Sequence, residues 1–269
     1  MLSTGVPTSD TSFRVGVQLK PQHADFKVIR RAWEALDSLN VAGARVSSLW
    51  TWDHFFPLSG DPHGKHFEAW TTLAAMAATT EHATVGLLVG CNTYRNADLV
   101  ADMARTVDHI SGGRAVLGLG AGWFERDYAE YGFQFGTPRT RLDDLEASLA
   151  RIRRRLDRLV PPPLQHRLPI LIGGGGEKRT LRLVAEFADM WNAPASPDEF
   201  ASKNRVLDEW CVRTSRDPSA IERTAWFDAG SDVEAATTYV SAGAEHIIYG
   251  LDYPFELAPV KRLLELSVK

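Results

Sequence analysis

The chain alternates between short apolar segments and longer segments of helical period, which is the pattern of a parallel sheet built from β-α units. The short segments are rich in Val, Ile, Leu and Trp, as strands buried on both faces are. Eight of them are predicted strands: residues 13–19, 45–51, 84–91, 114–120, 169–173, 189–193, 223–228 and 246–250. Strands of this kind favour a closed sheet, because closure removes both edges.

The segments between the strands carry apolar stripes that fit helices packed on the outside of such a sheet. Phe26, Ile29, Trp33 and Leu36 recur at steps of three and four, and the same spacing recurs between residues 99 and 110 and between 142 and 159. No dinucleotide-type glycine turn follows the first strand, and 269 residues is a usual length for an eight-fold barrel. The expected fold is an α/β TIM (β/α)8 barrel, forming a single domain over residues 13–269 after a disordered lead-in over residues 1–12.

Composition narrows the class of partner. Hydrophobic residues make up 44% and charged residues 24% of the chain, and the net charge of −4 gives no electrostatic reason to expect nucleic acid. No apolar run approaches the roughly 20 residues that cross a bilayer, and the polar start lacks the blocks of a secretion signal. Cys91 and Cys211 have no metal-like spacing around them. We therefore expect a cytoplasmic protein without a metal site, acting on a small molecule.

The most informative stretch lies at the end of the second predicted strand, where an apolar run leads into Trp52, Asp53, His54 and Phe55. The carboxyl ends of barrel strands are where such enzymes assemble their chemistry. We therefore expect Asp53 and His54 to form the floor of an active site. The alternative is that His54 is a structural polar residue and that the aromatic residues around it pack the core and the rim.

Two glycine-rich stretches also end strands. Gly173, Gly174, Gly175 and Gly176 connect the fifth predicted strand to a helix, so backbone N–H groups there can approach an anion at the positive end of a helix dipole. This predicts a phosphate cradle, and the alternative is a flexible β-α turn. The third predicted strand is interrupted at Gly90, and such a glycine marks a bulge or a close approach of a ligand. A flat ring is expected to rest there.

Several motifs follow one another in a fixed order from Phe13 onward. They are Trp52-Asp53-His54-Phe55, Gly60-Asp61-Pro62, Glu68-Ala69-Trp70-Thr71-Thr72-Leu73, Asn92-Thr93-Tyr94-Arg95-Asn96, Asp108-His109-Ile110-Ser111-Gly112-Gly113-Arg114, Gly118-Leu119-Gly120-Ala121-Gly122-Trp123 and Ile172-Gly173-Gly174-Gly175-Gly176. In this order they resemble the luciferase-like monooxygenase superfamily, and more narrowly its branch that uses the deazaflavin coenzyme F420. The resemblance covers nearly the whole chain, so it is far more specific than any one motif.

The resemblance implies how a coenzyme is held. The third strand backs the central ring through a non-prolyl cis peptide, which aligns with Val89-Gly90, and Asn92 holds the polar edge of the ring. The glycine loop holds the phosphate-bearing tail. The expected coenzyme contacts are Asp53, Val89, Gly90, Asn92, Gly120, Gly122, Gly173, Gly174, Gly175, Gly176, Glu177 and Lys178.

The resemblance also implies a chemistry in which the protein holds coenzyme and substrate face to face and manages one proton. His54 is expected to take the proton of the substrate's hydroxyl, and Asp53 to orient His54 or to bind the ring. The expected substrate contacts are Trp52, Phe55, Trp123 and Glu125.

Three functions stay open at this point. The first is an F420-dependent oxidoreductase that transfers a hydride to or from a small organic substrate, and the second is an FMN-dependent monooxygenase that uses reduced flavin and O2. The third is a non-catalytic flavin- or deazaflavin-binding barrel, motivated by the short segment after Val160, where superfamily members usually have a longer excursion. The resemblance further implies a homodimer formed through the helices of residues 68–79 and 98–110.

Overall fold

The computed structural model describes residues 12–268, so the predicted lead-in lies, apart from Ser12, outside the described residues. The strands are β1 (Arg14–Leu19), β2 (Asn40–Val41), β3 (Ala44–Arg45), β4 (Ser48–Thr51), β5 (Thr84–Leu87), β6 (Gly90–Cys91), β7 (Ala115–Gly120), β8 (Ile170–Gly173), β9 (Met190–Ala193), β10 (Glu222–Phe227) and β11 (His246–Leu251). The helices are α1 (Phe26–Asp37), α2 (Ala69–Thr79), α3 (Ala97–Ser111), α4 (Glu125–Tyr131), α5 (Pro138–Leu156), α6 (Thr180–Phe187), α7 (Pro197–Arg213), α8 (Ala236–Ser241) and α9 (Ala258–Ser267).

The main sheet closes into a barrel. Hydrogen bonding runs in the order β5-β4-β1-β11-β10-β9-β8-β7-β6, and β5 also pairs with β7, which completes the ring. Neighbouring barrel strands are parallel, as in β1 with β11 and β4 with β5. Since β5 and β6 are two pieces of one interrupted strand, the ring has eight strands and the predicted (β/α)8 fold is confirmed.

The second predicted strand begins later than expected. Residues 44 and 45 belong to the short antiparallel hairpin β2-β3, and the barrel strand starts at Ser48. The hairpin turns at Ala42 and Gly43, both of which have positive φ, and the Gly43 N–H donates to the Asn40 side chain. The hydrophobic pattern therefore extends the predicted strand back into this hairpin, because apolar residues alone do not reveal the turn.

The barrel is a packed core with alternating faces. Outward side chains of the strands meet the helical stripes, so that Ile29, Trp33 and Leu36 of α1 are almost completely buried. The alternate positions form a separate inner cluster of Trp50, Leu88, Val116, Leu171, Met190 and Ile248. A ligand cannot pass through an interior filled in this way, so it must bind at a mouth.

The amino-terminal end of the barrel is closed by a buried polar network. Ser48 Oγ lies 2.9 Å from His246 Nε2 and accepts from Trp50 Nε1 at 2.7 Å. The other ring nitrogen of His246 lies 3.1 Å from a Glu222 carboxylate oxygen. A Cβ on Gly16 would come within 2.3 Å of Ser48 Oγ, so only glycine leaves room for this network. The carboxyl-terminal mouth is therefore the open one.

A bulge in the third barrel strand is accommodated by glycines on its neighbours. Leu88 and Val89 separate β5 from β6, and the non-proline cis peptide bond joins Leu88 to Val89. The sequence-based position, Val89-Gly90, is wrong by one residue because the ladder has already resumed at Gly90. A Cβ on Gly118 would lie 1.8 Å from Leu87 O, and one on Gly120 would lie 2.7 Å from Val89 Cγ2. The bulge therefore places Val89 at the mouth of the barrel.

The described residues contain neither a membrane-spanning helix nor a metal-binding cluster. Within residues 12–268 no helix combines the length and apolarity needed to span a membrane. In the same range there is no cluster of three or more His, Cys, Asp or Glu side chains arranged to hold a metal ion. Both cysteines in the described part of the chain are buried and unpaired.

Candidate active site

A cavity of about 490 Å³ opens at the carboxyl-terminal mouth of the barrel. Its wall contains the predicted residues Trp52, Asp53, His54, Val89, Gly90, Gly120, Gly122, Trp123, Gly173 and Gly174. It also contains Gln18, Tyr94 and Asn192, whose positions at strand ends predict this face, and three residues that the sequence did not indicate, Leu58, Arg141 and Thr180. The structure therefore brings together residues that follow β4, β6, β7, β8 and β9.

His54 is held by a buried carboxylate from a different element. Its Nδ1 lies 2.7 Å from Oδ2 of Asp127, which sits in the first half of α4 and is completely buried. Because a carboxylate accepts hydrogen bonds, Nδ1 carries the proton and Nε2 of the neutral ring carries a lone pair. Nε2 has no hydrogen-bond partner among residues 12–268. The ring is thus oriented to accept or return a proton on the cavity side.

Asp127 is itself fixed by two further donors. The Tyr94 hydroxyl donates to Oδ2 at 2.9 Å, and the Phe55 backbone N–H donates to Oδ1 at 3.2 Å. Burial raises the pKa of Tyr94, so its hydroxyl stays protonated and remains a donor. This arrangement resembles the histidine–aspartate half of a catalytic triad, in which the carboxylate sets the tautomer and stabilises the imidazolium.

Asp53 has a different role from the one expected. It receives two hydrogen bonds from the Arg95 guanidinium, at 2.6 and 3.1 Å, and one from the Cys91 backbone N–H at 3.0 Å. Complete burial raises the pKa of Asp53, while Arg95 and the Cys91 amide act in the opposite direction. The prediction that Asp53 orients His54 is wrong, because the Asp53 carboxylate is occupied by Arg95 and the Cys91 amide while Asp127 holds the imidazole. Asp53 ties β6 to the end of β4 and still lines the cavity.

Asp127 was not predicted as a site residue, whereas Glu125, in the same turn of α4, was. Helical period separates the two residues: Glu125 lies about 200° around α4 from Asp127, so when Asp127 and Tyr128 are buried Glu125 faces solvent. Glu125 is exposed and lies outside the cavity wall for this reason. From the sequence, Arg95 could belong either to the functional face or to an ion pair of a loop, and in the structure it is paired with Asp53 and Glu68.

Aromatic side chains surround His54. The rings of Trp52, Trp123 and Phe124 pack edge-to-face with the His54 ring, at centroid distances of 6.0, 5.7 and 5.4 Å. Behind them, Trp52 Nε1 donates to His66 Nε2 at 2.9 Å, and burial lowers the pKa of His66 to about 4, which keeps this acceptor neutral near pH 7. The predicted contacts Trp52 and Trp123 therefore border the same space as His54.

Phe55 lies outside the cavity wall. Its ring stacks on Tyr131 with a centroid distance of 4.0 Å and also packs near Tyr94 and Phe133. The Phe55 backbone turns inward to reach Asp127, which directs the side chain into this cluster beneath α4. Phe55 thus supports the His54–Asp127 pair by packing.

The glycine loop contributes only its first half to the cavity. Gly173 and Gly174 line the wall, and Thr180, at the start of α6, faces them. Gly175, Gly176, Glu177 and Lys178 lie outside the wall, because the loop continues outward for several residues before α6 begins. There the Lys203 ammonium donates to Gly175 O at 3.0 Å and lies 3.4 Å from Glu177. The predicted cradle is therefore smaller than the four-glycine run.

Arg141 supplies the positive charge of the cavity. It is buried, its guanidinium lies 4.1 Å above the Phe135 ring, and it donates to Gly122 O at 3.0 Å and Phe135 O at 3.1 Å. Among the described residues that line the cavity it is the sole Arg or Lys. With the Thr180 hydroxyl on the same wall, Arg141 can receive an anionic tail next to the Gly173–Gly174 turn, whose Gly174 N–H already donates to Asn192 O at 2.8 Å.

Asn92 faces a second cleft instead of the main cavity. It lies in a short 3₁₀ turn, Asn92–Tyr94, directly after β6; Tyr94 of this turn lines the main cavity, whereas Asn92 does not. The cleft has a volume of about 560 Å³ and is bordered by this turn and by Asp144, Ser148 and Arg151 of α5. Asn92 therefore lies outside the wall of the main cavity, where the expected contact with the polar edge of a ring would form.

The residues present suit a planar coenzyme with an anionic tail. The bulge at Leu88–Gly90 borders the cavity, and Gly118, Gly120 and Gly173 leave the room that the Val89 side chain occupies, so a flat ring would rest against this segment. Gln18 fixes this segment, since its amide donates to Leu88 O and accepts from Trp226 Nε1 at 2.9 Å. Deazaflavin and flavin both fit this description, because both combine a planar ring with a phosphate.

Comparison with known proteins places the chain in a family. A model of the luciferase-like monooxygenase family matches residues 45–229. A phthiodiolone/phenolphthiodiolone dimycocerosates ketoreductase of Mycobacterium sp. (strain JLS) is 26% identical over 249 residues, covering 78% of this chain and 64% of that protein. A putative coenzyme F420-dependent oxidoreductase of Mycobacterium tuberculosis is 28% identical over 173 residues, covering 54% of this chain and 49% of the other.

Solved structures share the fold. An F420-dependent secondary alcohol dehydrogenase, in complex with an F420-acetone adduct, superposes with a TM-score of 0.82 at 14% identity, covering 96% of this chain and 99% of that one. The oxygenating constituent of 3,6-diketocamphane monooxygenase from Pseudomonas putida, in complex with FMN, gives 0.71 at 14% identity, covering 96% and 97%. Neighbours of this fold thus include both F420-dependent and FMN-dependent enzymes.

Proposed function

The chain belongs to the luciferase-like monooxygenase family, and from that membership we propose that it is an F420-dependent oxidoreductase that transfers a hydride between the coenzyme and a small organic substrate. The observation that carries the proposal is His54, with its free Nε2, held by a buried Asp127 at the wall of a cavity floored by the third-strand bulge. Hydride transfer to or from a carbonyl carbon requires one such proton carrier. The ketoreductase and F420-dependent relatives support this choice.

The coenzyme would be held by residues at two places. Arg141 and Thr180 would bind the phosphate beside the Gly173–Gly174 turn, and the segment from Val89 to Gly90 would support the ring. When bound, coenzyme F420 supplies a ring carbon that accepts or donates a hydride. The protein's own contribution is to position both reactants and to exclude competing geometries.

His54 would manage the proton. When an alcohol is oxidised, its carbon gives up a hydride and its hydroxyl proton passes to His54 Nε2, leaving a carbonyl. In the reverse direction His54 returns that proton to the carbonyl oxygen. Asp127 stabilises the imidazolium formed in between, and Tyr94 keeps the carboxylate in place.

The second candidate is an FMN-dependent monooxygenase that receives reduced flavin and reacts with O2. The cavity is compatible with this function, because Arg141 and Thr180 would hold a flavin phosphate equally well. A non-catalytic binding barrel is the third. The proposal also retains a cytoplasmic location, on the ground of the two unpaired cysteines.

Titration with each coenzyme separates these functions. The protein is mixed with F420 or with FMN, and binding is followed by fluorescence quenching. We expect micromolar affinity for F420 and weaker binding of FMN; the reverse order would contradict the proposal. His54→Ala then distinguishes an enzyme from a binder, since an enzyme variant loses turnover while its coenzyme affinity is retained.

A further inference from the structure

We propose that the substrate is a neutral molecule with an apolar body, and that this site discriminates against substrates that carry a carboxylate or a phosphate. The inference rests on the proposed function, because it concerns the part of the cavity beside the proton carrier. It adds a substrate class, which the family alone leaves open.

The wall around His54 offers apolar and aromatic surface without a free cation. Trp52, Leu58 and Trp123 border this space. His66, which lies behind Trp52, has its pKa lowered to about 4 and is neutral near pH 7. An anionic group placed here would lose hydration without gaining a charged partner.

The cations in the surroundings are already engaged. Arg95 is paired with Asp53 and Glu68. Arg126 of α4 packs over the Phe56 ring and donates to Pro62 O. Arg141 is tethered to the carbonyl oxygens of Gly122 and Phe135, and in the proposed function it belongs to the phosphate of the coenzyme. None of these three guanidinium groups is placed to receive a substrate anion beside His54.

A negative charge lies directly behind His54. Asp127 accepts from His54, Tyr94 and the Phe55 backbone, and none of these partners is a Lys or Arg within the described structure. Its charge is therefore not neutralised by a cation when the imidazole is neutral. A substrate carboxylate near His54 would be repelled by this charge at close range. A neutral carbonyl or hydroxyl avoids this repulsion and can still hydrogen-bond to Nε2.

Trp123 provides a surface for the body of the substrate. It is 64% exposed although its ring contacts the edge of His54 at the mouth of the cavity. An exposed indole face beside a proton carrier is suited to being covered by an apolar ligand. The preceding Gly122 has a φ of +85°, which sets the direction in which the chain carries Trp123 over the mouth.

The test compares matched ketones on the coenzyme-loaded protein by isothermal titration calorimetry. Methyl levulinate and levulinate share one ketone and differ in charge, and benzylacetone adds an apolar ring. We expect the ester to bind at least about tenfold more tightly than the acid, and benzylacetone more tightly still. Equal or tighter binding of levulinate, or no binding of either neutral ketone, would overturn the inference.

Two substitutions sharpen this comparison. Leu58→Arg places a cation on the wall and is expected to improve levulinate binding about fivefold, and Trp123→Arg, at an exposed position, provides the same test if the first variant folds poorly. Val212→Arg is the control, because Val212 is 75% exposed on α7 and lies outside the cavity wall. An unchanged preference in both cavity variants would count against the inference.

Failure of the proposed function is recognised separately. Coenzyme affinity is measured first, without ketone. If the protein binds FMN and not F420, the proposed function fails, and the same ketones are then compared on the FMN-loaded protein. Discrimination by substrate charge involves only His54, Asp127 and the wall beside them. The ketone comparison on the FMN-loaded protein therefore still tests it.

Discussion

At the scale of single residues, Asp127 is the group whose removal best separates chemistry from binding. It touches His54 but is not part of the cavity wall. Asp127→Asn removes the charge that stabilises the imidazolium, and we expect turnover to fall about 100-fold or more while F420 affinity stays unchanged. Steady-state rates and coenzyme titration measure the two effects. Asp127→Glu keeps the charge and is expected to recover part of the rate.

The matched control for this prediction is Glu130→Gln, which alters an exposed carboxylate on the same helix. It is expected to change neither quantity. Full activity in Asp127→Asn would show that His54 does not depend on the carboxylate. Loss of coenzyme binding would show instead that Asp127 maintains the shape of the cavity.

His66 predicts a dependence of stability on pH. Its pKa is lowered to about 4 from 6.5 because it is buried against Trp52, so protonation favours the unfolded chain. The stabilisation is present above pH 6.5 and is lost as the pH falls toward 4, about 2 kcal/mol of it between pH 7 and pH 5. Urea unfolding at these two pH values measures it.

The control substitution keeps the hydrogen bond and removes the titration. His66→Gln can still accept from Trp52 Nε1, so the unfolding free energy at pH 7 is expected to stay nearly unchanged while its decrease toward pH 5 becomes smaller by that amount. The buried His246, whose pKa burial also lowers, keeps contributing to the remaining decrease. His63→Gln, at an exposed position, is expected to leave the slope intact; an identical slope in His66→Gln would contradict the argument.

At the scale of elements, the strand interruption depends on glycines of the adjacent strands. A Cβ on Gly118 would lie 1.8 Å from Leu87 O, a backbone atom that cannot turn aside. Gly118→Ala is therefore expected to destabilise the protein by about 3 kcal/mol and to weaken coenzyme binding, since the bulge forms the floor. Gly132→Ala is the comparison, because its φ of +70° costs about 1 kcal/mol but its surroundings are open. Comparable losses in the two variants would show that the bulge can shift without cost.

The sequence could predict these elements where burial follows a period. The stripe Ile29, Trp33 and Leu36 and the apolar strand segments report directly which face is buried, and the eight barrel strands lie within three residues of their predicted ends. The exact site of the bulge was not accessible in this way. It depends on which neighbouring strand carries Gly118 and Gly120 opposite Leu87 and Val89, which is a property of register between strands.

The site was predictable to the same extent. Asp53 and His54 end a buried strand, and that position alone brings them to the mouth. Their partners are distant in sequence: Arg95 follows the third strand and Asp127 lies in α4, so only the closed ring brings them together.

At the scale of the whole molecule, the outer surface of α3 predicts self-association. Leu99 and Ile110 are 51% and 42% exposed and lie with Met103 on one outward stripe of the helix, and α2 packs beside it. Apolar side chains of this size in a stripe are stabilised by a partner surface. We propose a homodimer through α2 and α3, with a mass about twice the 29.8 kDa of the chain.

Light scattering on the purified protein measures the mass of this assembly. The double variant Leu99→Glu, Ile110→Glu places two like charges on each copy, and across a two-fold axis these would be buried together, so we expect it to be monomeric. Val212→Glu adds a charge at a 75% exposed position on α7 and is expected to remain dimeric. Because α3 directly follows the Asn92–Tyr94 turn that carries Tyr94 to Asp127, the monomeric variant also tests whether pairing stiffens the site. A monomeric wild-type protein, or a double variant that stays dimeric, would assign this face no role in assembly.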